Sequence, residues 1–248
     1  MKSYNEQLTA LRASGNLRHL PEVEHQGIWI LKEGKRMLNL SSNDYLGLAS
    51  RQDLQEEFQA STQDRFYPYS SSSSRLLTGN FSVYTKLEKQ IARSFDREAA
   101  LIFNSGYHAN TGILPALTDK QTLLLADKLV HASIIDGILL SGSPFLRYRH
   151  NDYDQLERLV QKNASQYETI IILTESIFSM DGDVADLNHL IAIKRQYPHI
   201  LLYVDEAHAI GARGKTGLGI AEEQGCIQEI DLLVGTFGKA LASMGAYL

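Results

Sequence analysis

The chain is poor in cysteine, has no excess of basic residues and has no long apolar run. Cys226 is its single cysteine, so no internal disulfide can form, and a reducing compartment suits it. Lysine and arginine total 24 against 29 acidic residues, a formal net charge of −5. This balance argues against a nucleic-acid-binding protein, which gathers basic residues on one face. No apolar stretch approaches the roughly 18 residues that cross a bilayer. The start, Met1 to Gln7, lacks the apolar segment of a secretory signal. A cytoplasmic protein without membrane or nucleic-acid partners is expected. No internal repeat is visible, and no metal site is expected.

What is present is enough for a real core. Hydrophobic residues make up 44% of 248 and charged residues 21%, the composition of one large domain or one and a half. Leu8 and Leu11 mark a short amphipathic helix ending at Gly15. Ile28 to Leu31 and Arg36 to Leu40, around Lys32-Glu33-Gly34-Lys35, read as a hairpin. Ser41 to Leu48 follows as a loop of turn formers, and Leu54 to Thr62 as a helix. Tyr69 to Ser74 is serine-rich, either a flexible linker or a loop whose hydroxyls serve a site. Val83, Leu87, Ile91 and Phe95 recur at helical spacing.

Beyond this the pattern becomes regular. Strand-like runs at 100–103, 122–126, 144–149, 169–174, 200–204 and 232–234 alternate with helical stretches at 109–117, 132–140, 153–164, 187–197 and, more loosely, 220–224. Such alternation predicts an α/β fold with a mostly parallel central sheet. Right-handed crossovers bring the carboxyl ends of the strands to one edge, where ligands bind. Residues 1–50 form an N-terminal segment of helix plus hairpin, and 51–248 a large domain. The last residues, Gly245-Ala246-Tyr247-Leu248, read as the middle of an apolar strand. Domains usually end in polar, exposed segments, so a truncation on the C-terminal side is expected.

The residues predicted at the strand ends are chemically coherent. Asn104-Ser105-Gly106-Tyr107 is a glycine-containing turn that opens a helix, with N–H groups suited to phosphate. Then come Asp127, Lys128 and His131, the stretch from Glu175 through Ser179 to Asp183, Asp205-Glu206-Ala207-His208, and Thr236 with Lys239. Singly, each has a plain explanation: His131 as a neighbour of a helix cap, His208 as a core histidine, Ser179 as a loop hydroxyl, Lys239 as a surface residue after a turn. Asp205 ends an apolar run, and a buried carboxylate needs a partner. A lysine at the mouth of a buried strand can be desolvated, which lowers its pKa and lets the amine form a Schiff base. Together the groups match the needs of pyridoxal 5'-phosphate: a lysine, an anion for the ring nitrogen and a nest for the phosphate.

One rival comes from another class. Asp205-Glu206-Ala207-His208 spells a helicase signature, and Ala209 to Thr216 nearly fits a nucleoside-triphosphate loop. Such a loop must follow a strand and open a helix, whereas Gly214-Lys215-Thr216 runs into Gly217-Leu218-Gly219. It also directly follows the acidic motif that it should precede.

The ordered motifs Ser42 to Gly47, Ser74 to Gly79, Ser105-Gly106-Tyr107 with Ala109-Asn110, His131-Ala132-Ser133, Thr174 to Asp183, Asp205 to His208 and Thr236 to Lys239 resemble the α-oxoamine synthases. These are pyridoxal-phosphate enzymes of fold type I, and the resemblance runs from about Leu17 to the last residue. It implies that Lys239 holds the cofactor covalently and moves the substrate Cα proton. Asp205 would pair with the ring nitrogen, His131 stack on the ring, and His208 and Ser179 bond the phenolic oxygen or its surroundings. Gly106, Tyr107 and Thr236 would bind phosphate. Arg18, Asn43, Ser74 and Glu175 match positions that face substrate. The resemblance is greatest to members that join L-alanine to pimeloyl-coenzyme A or a pimeloyl-carrier protein; a glycine C-acetyltransferase is the alternative within the family. Ser74 leaves room for alanine's methyl, where aminolevulinate-forming relatives carry threonine. The resemblance also implies a homodimer, and a C-terminal domain that this chain lacks. It departs at Ser71-Ser72-Ser73, where relatives usually carry one or two glycines. A serine forced to φ > 0 there would be strained.

Overall fold

The computed structural model describes residues 3–62 and 70–248. Tyr69, the first residue of the serine-rich stretch, lies outside them. The chain divides into two compact units, residues 1–42 and 43–248.

In the first unit, Ser3 and Glu6 cap helix α1 (Tyr4–Ala13) reciprocally, as a serine followed three residues on by glutamate does. A sheet of three strands follows: β1 (Glu24–Gln26), β2 (Trp29–Lys32) and β3 (Lys35–Leu38), in that order. The expected hairpin is β2–β3. Its turn residues Glu33 and Gly34 both take positive φ, 51° and 74°, the conformation that joins twisted strands in two residues. Strand β1 was missed because Glu24-His25-Gln26 has no apolar alternation.

The second unit begins with the loop that carries Asn43 and Tyr45, then α2 (Gln52–Thr62) and α3 (Ser82–Ser94). Next come β4 (Ile102–Phe103), α4 (Gly106–Leu117), β5 (Thr122–Asp127), α5 (Ala132–Ser141), β6 (Phe145–Tyr148), α6 (Tyr153–Asn163), β7 (Thr169–Glu175), α7 (Leu187–Lys194), β8 (Ile200–Asp205), the short α8 (Ile220–Glu223), β9 (Leu232–Thr236) and β10 (Ala246–Tyr247). The seven-stranded sheet has the order β4-β10-β9-β8-β7-β5-β6. β10 is antiparallel to both neighbours, while β6, β5, β7, β8 and β9 pair in parallel.

The interiors of the core strands are continuous apolar runs because both faces are covered. Leu124, Leu125, Ala126 and Ile170 to Leu173 are fully buried, each large side chain worth about 1.5–3 kcal/mol. The chain moves outward from β5 to β6, then returns past β5 to β7. That reversal puts α5 on one face and α6 and α7 on the other, and opens a crevice at the carboxyl ends beside β5 and β7. α4 lies against α5 and is admitted by Gly137, where a Cβ would stand 2.4 Å from the Asn110 carbonyl oxygen. The serine run is strained at one residue: Ser72 takes φ 48°, a left-handed conformation costing a non-glycine residue roughly 1–2 kcal/mol.

Candidate active site at the carboxyl edge of the sheet

A cavity of about 170 Å³ opens at this edge, lined by Gly106, Tyr107, Asn110, His131, Ser133, Glu175, Asp205, Ala207, His208, Thr236 and Lys239. Most of these lie at or just after the ends of β5, β7, β8 and β9. A second cavity, about 410 Å³, is mainly apolar. Of its charged lining groups, Arg97 is committed to the Ile227, Ile230 and Asp231 carbonyls, and Asp231 pairs with Lys194 at 2.6 Å. The smaller one gathers the ionisable groups His131, Glu175, Asp205, His208 and Lys239.

Helix α4 brings its N-terminus to the cavity. Ser105 caps it, taking the His108 N–H on its hydroxyl at 3.2 Å. Helix geometry leaves the N–H groups of Gly106 and Tyr107 unpaired, and both residues line the cavity. A Cβ on Gly106 would meet nothing within 4 Å, so neither packing nor φ demands glycine there. The space it leaves is at a helix N-terminus, where anions bind.

Asp205 closes β8 at 6% exposure. Its Oδ1 accepts the Ala207 N–H at 2.9 Å and its Oδ2 the Asn110 amide at 3.0 Å. Glu175 stands beside it, in register across β7 and β8. It accepts the His131 N–H at 2.5 Å, and burial, then the Asp205 charge, pushes its carboxyl up to about 8.

Lys239 follows β9 through Phe237 and Gly238. The turn is pinned by Phe237 N–H and Thr236 Oγ1, which both donate to the Gly245 carbonyl, and by Gly238 N–H, which donates to Thr236 Oγ1. Gly235 is required because the Tyr247 ring packs over it; a Cβ would meet the ring at 2.2 Å. The Lys239 amine lies 2.6 Å from His208 Nε2, and burial lowers its pKa. Burial and the Lys239 charge bring His208 down to about 4. His208 Nδ1 meets the Tyr45 hydroxyl at 2.7 Å, and that hydroxyl also reaches Asn43 Oδ1 at 3.1 Å.

His131 is itself the cap of α5, accepting the Ser133 N–H. Asn43, Ser74 and Ser179 do not line the cavity. Asn43 approaches it through Tyr45. Ser74 is exposed, its carbonyl accepting the Leu77 and Gly79 N–H groups. Ser179 is exposed in the loop after β7, and Arg18 is exposed in the N-terminal unit between α1 and β1.

The loop after β7 is tied down by a residue that no sequence argument marked. His150 Nδ1 lies 2.9 Å from Asp127 Oδ1, and its Nε2 2.5 Å from Asp183 Oδ2. Carboxylates only accept, so both ring nitrogens carry protons. Burial works against the cation, but the bonds to Asp127 and Asp183 outweigh it and raise the His150 pKa. The Phe178 ring meets the imidazole edge-on, centroids 4.4 Å apart.

The nucleotide-loop rival fits poorly. Thr216 gives its N–H and its hydroxyl to Glu222, and Glu206 takes the N–H groups of Ile220 and Ala221 at 3.1 and 2.7 Å. Within the loop the N–H groups of Gly211, Ala212 and Arg213 go to backbone carbonyls, so these donors and those of Thr216 are already committed.

Residues 35–248 match the family model of aminotransferase class I and II. The chain belongs to that family. Among relatives of this aminotransferase-class chain, proteins of Pasteurella multocida (strain Pm70) and Haemophilus influenzae (strain 86-028NP) bear the name "Putative 8-amino-7-oxononanoate synthase". They are 58% and 60% identical to it over 248 residues. All of this chain is covered, and it spans 64% and 65% of their length. Among solved structures it resembles the serine palmitoyltransferase of Sphingomonas wittichii, with TM-score 0.86 and 26% identity over 98% of this chain and 61% of that one. It also resembles an 8-amino-7-oxononanoate synthase from Francisella tularensis, with TM-score 0.68 and 30% identity over 84% and 56%. Serine palmitoyltransferase structures with PLP are similar too, one with TM-score 0.85 and 27% identity over 98% of this chain and 61% of that one.

The donor set fits pyridoxal phosphate. A desolvated amine, a buried and doubly held carboxylate, an aromatic ring and an open helix N-terminus line one small cavity, and these are the groups the cofactor needs.

Proposed function

We propose that this chain is the cofactor-binding part of an α-oxoamine synthase. It would condense L-alanine with a pimeloyl thioester, releasing the thiol and carbon dioxide, to give 8-amino-7-oxononanoate for biotin biosynthesis. The observation that carries the proposal is the convergence of Lys239, Asp205 and the α4 N-terminus on one cavity. The relatives' names favour the alanine and pimeloyl substrates.

Pyridoxal 5'-phosphate, when bound, supplies an electron sink for the negative charge that develops at the amino acid's Cα. Lys239 is its attachment point. Desolvation holds the amine's pKa down, so a neutral amine is available to take the Cα proton and return it at the end. Asp205 keeps the ring nitrogen protonated, and the two donors it already accepts fix its direction. Gly106 and Tyr107 take the phosphate on their N–H groups, with Thr236 beside them. His131 would stack on the ring and His208 would serve the phenolic oxygen, whereas Ser179, outside the cavity lining, is given no contact. Glu175, and Asn43 by way of Tyr45, would face the substrates. Partner chemistry follows from the same proposal: a coenzyme A or carrier-protein thioester, and a homodimer working in the cytoplasm.

Two measurements test this. Borohydride reduction of the loaded protein should fix the cofactor on the peptide containing Lys239, seen as a mass increase. A panel of alanine, glycine and serine against pimeloyl, acetyl and succinyl thioesters should give its highest kcat/KM for alanine with pimeloyl. A preference of about tenfold or more for glycine would move the chain to another branch of the family. A label away from Lys239 would overturn the site.

A further inference from the structure

Asn110 sits in the interior of α4, where asparagine is a poor helix former, and it is 1% exposed. Burying a primary amide is costly unless each of its groups is bonded, and here each is. Its Nδ2 donates to Asp205 Oδ2 at 3.0 Å and to Ser133 Oγ at 2.9 Å, and its Oδ1 accepts the Tyr203 hydroxyl. The carboxylate decides the orientation. Asp205 only accepts, so the amide nitrogen must face it, the amide oxygen must face Tyr203, and Tyr203 must donate.

The consequence passes on through Ser133. Its hydroxyl oxygen receives the Asn110 proton, which directs its own proton to His131 Nδ1, 2.8 Å away; the Ser133 N–H reaches the same nitrogen at 3.2 Å. With two donors aimed at it, Nδ1 is the acceptor and the His131 proton sits on Nε2. One buried amide therefore orients both the carboxylate meant for the ring nitrogen and the imidazole meant for the ring face.

We propose that Asn110 is the positioning residue of the cofactor site, setting the direction of Asp205 and, through Ser133, the tautomer of His131. This rests on the pyridoxal-phosphate assignment above. Gly137 supports it from behind: by admitting α4 close to α5, it brings Asn110 within reach of both elements.

The test uses the full chain loaded with pyridoxal phosphate, with Asn110→Ala, Asn110→Asp and Ser133→Ala compared with the unsubstituted protein. Two quantities are measured: the dissociation constant for the cofactor, and the pH midpoint of its visible absorbance, which reports the field of Asp205 on the ring. Asn110→Ala removes a hydrogen bond to a charged group, so the dissociation constant should rise about tenfold to a hundredfold, and the midpoint should move. Asn110→Asp keeps the shape but puts a second carboxyl against Asp205, so its midpoint should move further. Ser133→Ala leaves the Asp205 contact intact and should weaken binding without moving the midpoint. An Asn110→Ala protein with an unchanged midpoint and a dissociation constant within about twofold of the original overturns the inference. If that variant does not fold by circular dichroism, the near-isosteric Asn110→Asp decides by the same criteria. If the unsubstituted protein binds no pyridoxal phosphate on Lys239, the functional proposal fails and this inference with it. If it binds and the variants match it, only this inference fails.

Discussion

His150→Gln removes a cation that ties Asp127, at the end of β5, to Asp183, in the loop after β7. The two ring nitrogens lie 2.9 and 2.5 Å from carboxylate oxygens. Hydrogen bonds to charged partners contribute about 1.5–3 kcal/mol each. The total must be discounted, because Asp183 is 37% exposed and solvent screens that arm. Asp127 also keeps the Leu129 and Asn151 N–H groups at 2.8 and 2.9 Å, and glutamine can retain one contact. A net loss of about 1.5–2 kcal/mol at pH 6 follows, or about 3–8 °C in Tm at 2–4 °C per kcal/mol for a chain of this size. The pH dependence has a definite sign. The folded-state pKa of His150 is raised above its ordinary 6.5, so its contribution is complete below that value and fades as the pH rises through the folded pKa. Thermal unfolding followed by circular dichroism at pH 6, 7.5 and 9 should show the gap between the two proteins narrowing with pH. A gap under about 2 °C at pH 6, or one that widens toward pH 9, would refute the cationic bridge.

Lys239→Ala should abolish borohydride trapping of the cofactor and lower turnover by several orders of magnitude while Tm changes little, as combined mass and kinetic measurements will show. Ser72→Gly relieves the left-handed serine at φ 48°. After the added chain entropy of glycine is subtracted, it should gain about 0.5–1 kcal/mol, measurable by urea titration. Arg97→Ala strips the donor from the carbonyls of Ile227, Ile230 and Asp231 and should cost about 2–4 kcal/mol in the same titration. Lys215→Ala should leave calorimetric titration with ATP as featureless as in the unsubstituted protein, since the Thr216 donors already belong to Glu222.

How much could be read in advance follows from the range of the forces involved. Strands β5, β7 and β8 announced themselves because burial on both faces leaves their interiors apolar on successive positions, and that signal is local. The acidic and basic groups at their ends were visible for the same reason: a charge directly after such a run has few places to go but the sheet edge. The Asn110 network was not visible. It joins residues 23 to 95 apart in sequence, and an asparagine in a helical stretch looks like a surface residue until Tyr203 and Asp205 arrive beside it. His150 was hidden likewise, because its partners come from two other strand-end loops. The strand character of Ala246-Tyr247 could be read, but its antiparallel place between β4 and β9 could not, since two residues carry too little pattern to fix a direction.

That place bears on how the protein is made. Among the described residues, Ile102 and Phe103 join the sheet by pairing with Tyr247 and Ala246, so β4 waits for a partner synthesised about 140 residues later. At about 5–20 residues per second, the interval at the ribosome is on the order of ten seconds. During it the parallel strands β5 to β9 can pair, but the turn at Ser105-Gly106-Tyr107, which hangs from β4, has no anchored end. The N-terminus of α4 is therefore fixed to the sheet late, and a nascent chain should acquire its cofactor only after the lysine-bearing turn and β10 have emerged together.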